Sequence, residues 1–225
     1  MRQSFFALTL AAALLAGCHA QKTEESAEHS APAVPDLIIA TRDFKIQTHE
    51  GKPFTLADMK GKYSLVYFGF SNCPDVCINV LDGLSQVYDL LPPDLQKITQ
   101  LYFVSVDPER DTPAAMADYV KAFHPTMIGL TGSGGYEESL KSLMADFSAL
   151  GERSPKERDG TYKFNHTSYS YLLNKNAEYV AHFHYQDTSL AVDKVAEQVA
   201  NLIKGLETPA APATAPASPT QQGTP

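Results

Sequence analysis

Tyr63-Ser64-Leu65-Val66-Tyr67-Phe68-Gly69-Phe70-Ser71-Asn72-Cys73-Pro74-Asp75-Val76-Cys77 reads as a buried strand running into a reactive turn. Tyr63 to Phe70 is almost continuously apolar, the pattern of a strand covered on both faces of a sheet. From Asp75 to about Leu91 the pattern changes, with Val76, Val80, Leu84, Val87 and Leu91 at helical spacing. Cys73 and Cys77 therefore stand one helical turn apart where a strand gives way to a helix. That places two sulfurs on one face, near a positive helix end that favours thiolate.

Working outward, Pro92-Pro93 stops the helix and Ile98 to Val106 gives a second buried strand. In the loop Asp107-Pro108-Glu109-Arg110-Asp111-Thr112-Pro113, Thr112 is the expected cap and Pro113 the first-turn residue of a helix over Ala114 to Phe123. Ile128-Gly129-Leu130 is a short strand, followed by a helix from about Tyr136 to Phe147 and a charged loop over Gly151 to Gly160. Ser168 to Leu173 and Tyr179 to Phe183 form a strand pair across Asn174-Lys175-Asn176, and Leu190 to Ile203 is a final amphipathic helix. Upstream, Phe44 to Gln47 and Pro53 to Leu56 flank a turn at His49 to Lys52 and read as a hairpin, with Ala57 to Lys62 a polar connector. Strands alternating with helices predict an α/β domain of thioredoxin-like fold, a central mixed sheet flanked by helices with an N-terminal β-hairpin extension.

The ends have other compositions. Arg2 followed by the apolar run Phe5 to Leu15 and by Leu15-Ala16-Gly17-Cys18 reads as an export signal over residues 1–17. The run is too short to favour a membrane span, and its ending resembles the lipobox of bacterial lipoproteins, in which the cysteine becomes the lipidated first residue. Cys18 is therefore assigned as a lipid anchor. Residues 18–35 are polar and Glu-rich, with Ala and Pro, and form a tether. Residues 208–225 alternate Pro, Ala and Thr and are expected to be disordered. Residues 36–207 remain as one domain, long enough for a sizeable core, and contain no internal repeat.

A formal net charge of -8 without a Lys/Arg cluster excludes a nucleic-acid reader and purely electrostatic binding to anionic lipid. Membrane attachment is then covalent. Outside the cytosol, a close cysteine pair oxidises unless a reductant or a metal intervenes. Cys73 and Cys77 thus admit three roles: a disulfide closing a tiny loop of little stabilising value, a redox dithiol, or part of a metal site.

Gly61 to Cys77 resembles the signature of the Sco/SenC family of copper chaperones, and two further segments agree. Val104 to Pro113 is similar to the family's second motif, and Asn165-His166-Thr167 precedes a strand as the family's ligand histidine does. The resemblance extends over about Leu37 to Leu206, with one departure, Ile78 where the family often has proline. It implies a thioredoxin-like fold with one copper ion, Cu(I) or Cu(II), held by Cys73, Cys77 and His166. Soft thiolates with a neutral imidazole suit Cu(I) and leave it open to a recipient. The implied activity is copper delivery to, or preparation of, the binuclear copper site of cytochrome c oxidase. Implied partners are the oxidase's copper-bearing subunit and a periplasmic thiol reductant. His19 after Cys18 gives no simple inner-membrane sorting signal, but the family's place of work favours the periplasmic side of the inner membrane.

Other readings stay open. Cys73 could attack a disulfide in the recipient with Cys77 resolving it, making the chain a thiol-disulfide oxidoreductase that carries no metal. A peroxidatic Cys73 is a further alternative, although peroxiredoxin chemistry does not require Cys77 or His166. Asp107 either supports the site by a hydrogen bond to a ligand or a docking contact, or, like Asp111, serves capping and a local salt bridge with Arg110. His182 and His184, at i and i+2 on a strand, could form a second metal site or a solvated face. His19, His29, His49 and His124 are expected to face solvent, and Tyr67, Phe68 and Phe70 to form core and pocket wall.

Overall fold

The computed structural model describes residues 42–74, 76–149, 152–184 and 192–208. The export signal, the Cys18 anchor, the tether, His19, His29 and the tail beyond 208 lie outside the described residues. In chain order the elements are β1 (Lys45–Thr48), β2 (Pro53–Thr55), α1 (Leu56–Met59), β3 (Tyr63–Gly69), α2 (Val76–Leu90) and α3 (Pro93–Lys97). They continue with β4 (Thr99–Ser105), α4 (Pro113–Phe123), β5 (Ile128–Thr131), α5 (Glu137–Asp146) and β6 (Glu152–Arg153). The chain closes with β7 (Phe164–Asn165), β8 (Tyr169–Leu173), β9 (Tyr179–His184) and α6 (Val192–Glu207).

Seven strands form one mixed sheet in the order β2-β1-β5-β4-β3-β8-β9. β3 pairs parallel with β4 and antiparallel with β8, and β4 pairs parallel with β5. Every residue of β3 is buried, as its unbroken apolar run requires. The expected hairpin forms, and it joins the sheet because β1 pairs antiparallel with β5 at Gln47↔Thr131 and Thr48↔Leu130. The result is the thioredoxin-like α/β arrangement expected from the order of strand and helix patterns.

α2 buries Cys77, Val80, Leu81, Leu84 and Val87 along one face. Each aliphatic side chain there contributes about 1.5–3 kcal/mol of burial energy. α6 packs against α2 through a stripe of Val192, Val195, Ala196, Val199, Ala200 and Ile203, which repeats at helical spacing. At α4, the Thr112 hydroxyl accepts from the Ala115 amide at 3.4 Å and Pro113 opens the helix, as expected.

Four short elements depart from the sequence expectation, α1, α3 and the paired strands β6 and β7. The connector after β2 contains α1, since the Asp58 carboxylate accepts from the backbone amide and the hydroxyl of Thr55, both at 2.7 Å. Pro92-Pro93 ends α2 but also starts α3, because proline suits a first helical turn. The charged loop contributes β6, which pairs with β7 at Glu152↔Asn165 and Arg153↔Phe164. Two histidines expected in solvent are packed instead. His124 is buried edge-on against Tyr88 at 4.9 Å, and its Nδ1 accepts from the Thr126 amide at 3.2 Å. His49 is half-buried and its Nδ1 accepts from the Gly129 amide at 3.1 Å.

Candidate metal centre

The cysteine turn hangs from the C-terminal end of β3, where a sheet of this kind exposes functional groups. Its geometry is fixed by a carboxylate from the next loop. Asp111, 0% exposed, accepts from the Ser71 amide at 3.0 Å, from the Ser71 hydroxyl, and from the Ser105 hydroxyl at 2.6 Å. The Cys73 amide then donates to the Phe70 carbonyl at 3.2 Å. Cys77, in the first turn of α2, lies back over the strand. A Cβ at Gly69 would stand 3.0 Å from the Cys77 sulfur and 2.9 Å from Tyr67 Cε1, so the close approach requires glycine.

His166 reaches the sulfurs through strand register. β8 runs antiparallel to β3 with Tyr67 opposite Ser170, so the residues before β8 pass alongside the end of β3. His166 Nε2 lies 3.4 Å from Cys77 Sγ across 89 residues of sequence. The ligand atoms of Cys73, Cys77 and His166 all fall within 4.8 Å of one another. The other ring nitrogen, Nδ1, is 2.9 Å from the Thr167 carbonyl, which can only accept. Nδ1 therefore carries the proton, and the Nε2 lone pair faces the sulfurs, the arrangement that metal-binding histidines adopt. Tyr67 and Phe70 hold the imidazole edge-on, at 6.2 and 5.6 Å between centroids.

Both cysteines are free thiols, Cys73 being 7% and Cys77 0% exposed. Burial, above all, pushes the Cys77 thiol up to about 12, so the helix end expected to favour its thiolate is outweighed by desolvation. Burial likewise lowers the His166 imidazole below its ordinary value, while the bond to the Thr167 carbonyl works against that. At neutral pH Cys77 is a neutral thiol donating to a neutral imidazole. Two soft sulfurs and one imidazole then suit a soft monovalent cation that displaces thiol protons as it binds.

Asp107 is buried and is engaged away from the sulfurs. It forms an ion pair with Arg110 and accepts from the Tyr162 hydroxyl at 2.9 Å, so the local salt bridge is present while Thr112 does the capping. The Arg110 guanidinium stacks on Tyr162 at 3.9 Å and on Phe70 at 5.6 Å, and Phe70 in turn walls His166. Any bearing of Asp107 on the site runs through that stack. Asp111, read from sequence only as a capping or salt-bridging residue, is the one that fixes the cysteine turn. His182 and His184 flank Tyr169 on one side of β9, at 4.9 and 5.1 Å. Each has its own partner, the Tyr179 hydroxyl at 2.6 Å and the Ser168 hydroxyl at 2.8 Å. They join no metal-competent trio among the described residues.

Comparison with known proteins agrees with this geometry. Residues 36–204 match the family model SCO1/SenC. The chain is 37% identical over 149 residues to the SCO2-like protein of Rickettsia felis, covering 65% of this chain and 70% of that protein. It is 36% identical over 170 residues to the mitochondrial protein SCO2 homolog of Danio rerio, covering 75% of this chain but only 58% of that relative. Among solved structures, Arabidopsis thaliana ScoI with copper bound superimposes with a TM-score of 0.66 at 32% identity, over 73% of this chain and 98% of that one. Yeast Sco1 with copper bound gives 0.62 at 32% identity, over 71% and 87%. With the cysteine turn, the neighbouring histidine and a family match over most of its length, this chain belongs to the SCO1/SenC family.

Proposed function

We propose that this protein carries copper on Cys73, Cys77 and His166 and delivers it to, or prepares, the binuclear copper site of a cytochrome c oxidase. The observation that supports this most directly is the meeting of two thiols and one oriented imidazole within 4.8 Å. Related structures with copper bound support the choice of metal. Hand-over proceeds by ligand exchange, in which thiolates or imidazoles of the recipient replace the three donors stepwise without release of the ion to water. Among the described residues no helix is long and apolar enough to cross a membrane. We assign attachment to lipidated Cys18 after removal of residues 1–17. The tether of residues 18–35 and the domain of residues 36–207 then work on the periplasmic side of a bacterial inner membrane, with residues 208–225 as a tail. Anaerobic Cu(I) titration of the reduced protein tests the site, with Cys73→Ser, Cys77→Ser and His166→Ala in parallel. One equivalent bound by the parent and weakened binding in all three variants is the expected result; unchanged affinity in His166→Ala overturns the site.

A second reading rests on the side-by-side free thiols. Cys73, the more accessible, attacks a disulfide of the recipient's copper site, forming a mixed disulfide and releasing one recipient thiolate. Cys77 then closes the Cys73–Cys77 disulfide and releases the second, so the recipient gains two electrons and a periplasmic dithiol must reset the pair. This chemistry survives His166→Ala, whereas copper carriage does not.

A further inference from the structure

His182 and His184 stand two residues apart on β9, the last strand of the seven-stranded sheet, which has no strand on its outer side among the described residues. Pairing with β8 is regular there, Tyr171↔His182 and Tyr169↔His184, so both side chains leave the same face from Cα atoms about 6.6 Å apart. Both imidazoles lie against one ring, that of Tyr169, with centroids at 4.9 and 5.1 Å. Each is also held at one nitrogen by a hydroxyl, His182 Nδ1 by Tyr179 at 2.6 Å and His184 Nε2 by Ser168 at 2.8 Å. The opposite nitrogens, His182 Nε2 and His184 Nδ1, have no partner among the described residues. His182 is half-buried and His184 exposed, so this flank is reached from water.

A hydroxyl accepts as readily as it donates, so Nδ1–H of His182 can donate to Tyr179 and Nε2–H of His184 to Ser168. In that pair of tautomers the two free nitrogens carry lone pairs, and each ring keeps the outer hydrogen bond that orients a metal-bound imidazole. We propose that His182 and His184 form a second cation site, a two-imidazole chelate on the sheet edge that takes a borderline divalent ion, Cu(II) in preference to Zn(II). Imidazole suits both ions, and Cu(II) binds nitrogen donors the more tightly of the two. Metal–nitrogen bonds of about 2.0 Å let one ion bridge two rings whose backbone positions are this far apart. Two protein donors leave the remaining coordination positions to water or to an incoming ligand, so the site is open and exchangeable. Burial, and then the neighbouring imidazole of His184, hold His182 below its ordinary value, which keeps its lone pair available at neutral pH. The chelate has no sulfur and shares no ligand with Cys73, Cys77 and His166, whose donor set suits a monovalent ion. It stands apart from the copper-carrier reading, although Ser168, which holds His184, is only two residues beyond His166.

The full chain carrying Cys73→Ser and Cys77→Ser, free of any affinity tag, is titrated with Cu(II) and compared with the same chain bearing His182→Gln, His184→Gln or both. The serines remove the thiols that Cu(II) would oxidise, and they separate this outcome from that of the copper-carrier reading. The expected result is Cu(II) affinity lower by about ten-fold or more in each single variant and one equivalent fewer bound in the pair. The electron paramagnetic resonance signal should carry coupling to two imidazole nitrogens and lose it in the pair. Unchanged stoichiometry and an unchanged spectrum leave the two histidines as a solvated face only and overturn the proposal. Mass-mapped labelling with diethyl pyrocarbonate needs no histidine variant. Cu(II) is expected to slow modification of His182 and His184 together, and equal rates with and without the metal overturn the proposal even if the variants fail to fold.

Discussion

His166 Nε2 sits 3.4 Å from Cys77 Sγ while the same ring's Nδ1 donates to the backbone of the adjoining residue, Thr167, at 2.9 Å. The histidine is thereby aimed before any metal arrives. Its tautomer is set by a carbonyl of its own loop, so the lone pair needs no rearrangement to meet a cation held by the sulfurs.

The tautomer predicts a specific failure. In His166→Gln the side chain keeps hydrogen-bonding capacity but loses the aromatic nitrogen donor, and Cu(I) affinity is expected to fall by about ten-fold or more. Thiol content and thermal midpoint should stay near the parent values. Chelator competition with a parallel thiol count checks this, and retained affinity would count against a nitrogen ligand.

The metal-free protein should be most stable between mildly acidic and mildly alkaline pH. Cys77 is raised from 9.0 to about 12, so the folded state keeps a proton that the unfolded chain gives up, and stability falls as pH rises from about 9 towards 12. His166 is lowered from 6.5, so the unfolded chain takes up a proton more readily, and stability falls as pH drops below about 6.5. Urea midpoints across pH should show a shallower alkaline slope in Cys77→Ala, the remainder coming from buried tyrosines such as Tyr63 and Tyr102 that are also raised to about 12, and a shallower acid slope in His166→Ala.

Asp111→Asn should loosen the cysteine turn without touching a ligand. The carboxylate serves the Ser71 amide, the Ser71 hydroxyl and the Ser105 hydroxyl at full burial. An amide nitrogen in one of those positions faces a donor, and the expected loss is about 3 kcal/mol. Chemical denaturation reads that loss, and Cu(I) affinity should fall with it.

Gly69→Ala tests the packing beneath the sulfur. The added methyl meets Tyr67 at 2.9 Å and both Cys77 and Phe103 at 3.0 Å, so overpacking should cost about 1–3 kcal/mol. Gly51→Ala, at a position with φ of +75° and open space around the new Cβ, should be strained but leave copper affinity unchanged. A pair of variants with equal copper affinities would rule out crowding at Gly69 as the constraint on Cys77.

Much of this architecture is legible where a long pattern has one period. The unbroken apolar run gives β3, and the helical spacing from Val76 gives α2, to within a residue or two at their ends. The elements that sequence reading misses are short. α1 depends on one carboxylate turning back to Thr55, and β6 on pairing with a strand eleven residues further on, so neither repeats long enough to have a period. At the site, the cysteine spacing is local and visible. His166 is supplied by family resemblance, because a residue 89 positions away has no local signature. The work of Asp111 and Gly69 exists only in three-dimensional contact, and composition or spacing does not disclose it.

Because His166 takes its place from the Tyr67↔Ser170 pairing, the chain has an uneven tolerance for changes in length. Extra residues at the Asn174–Glu178 turn, or in the exposed stretch 155–161, would leave that pairing untouched. A single residue inserted between His166 and Ser170 would change the span from that pairing to the imidazole and shift the ring relative to the sulfurs. Over those few positions the chain behaves as a ruler, and members of this lineage can be expected to vary in length almost anywhere else first.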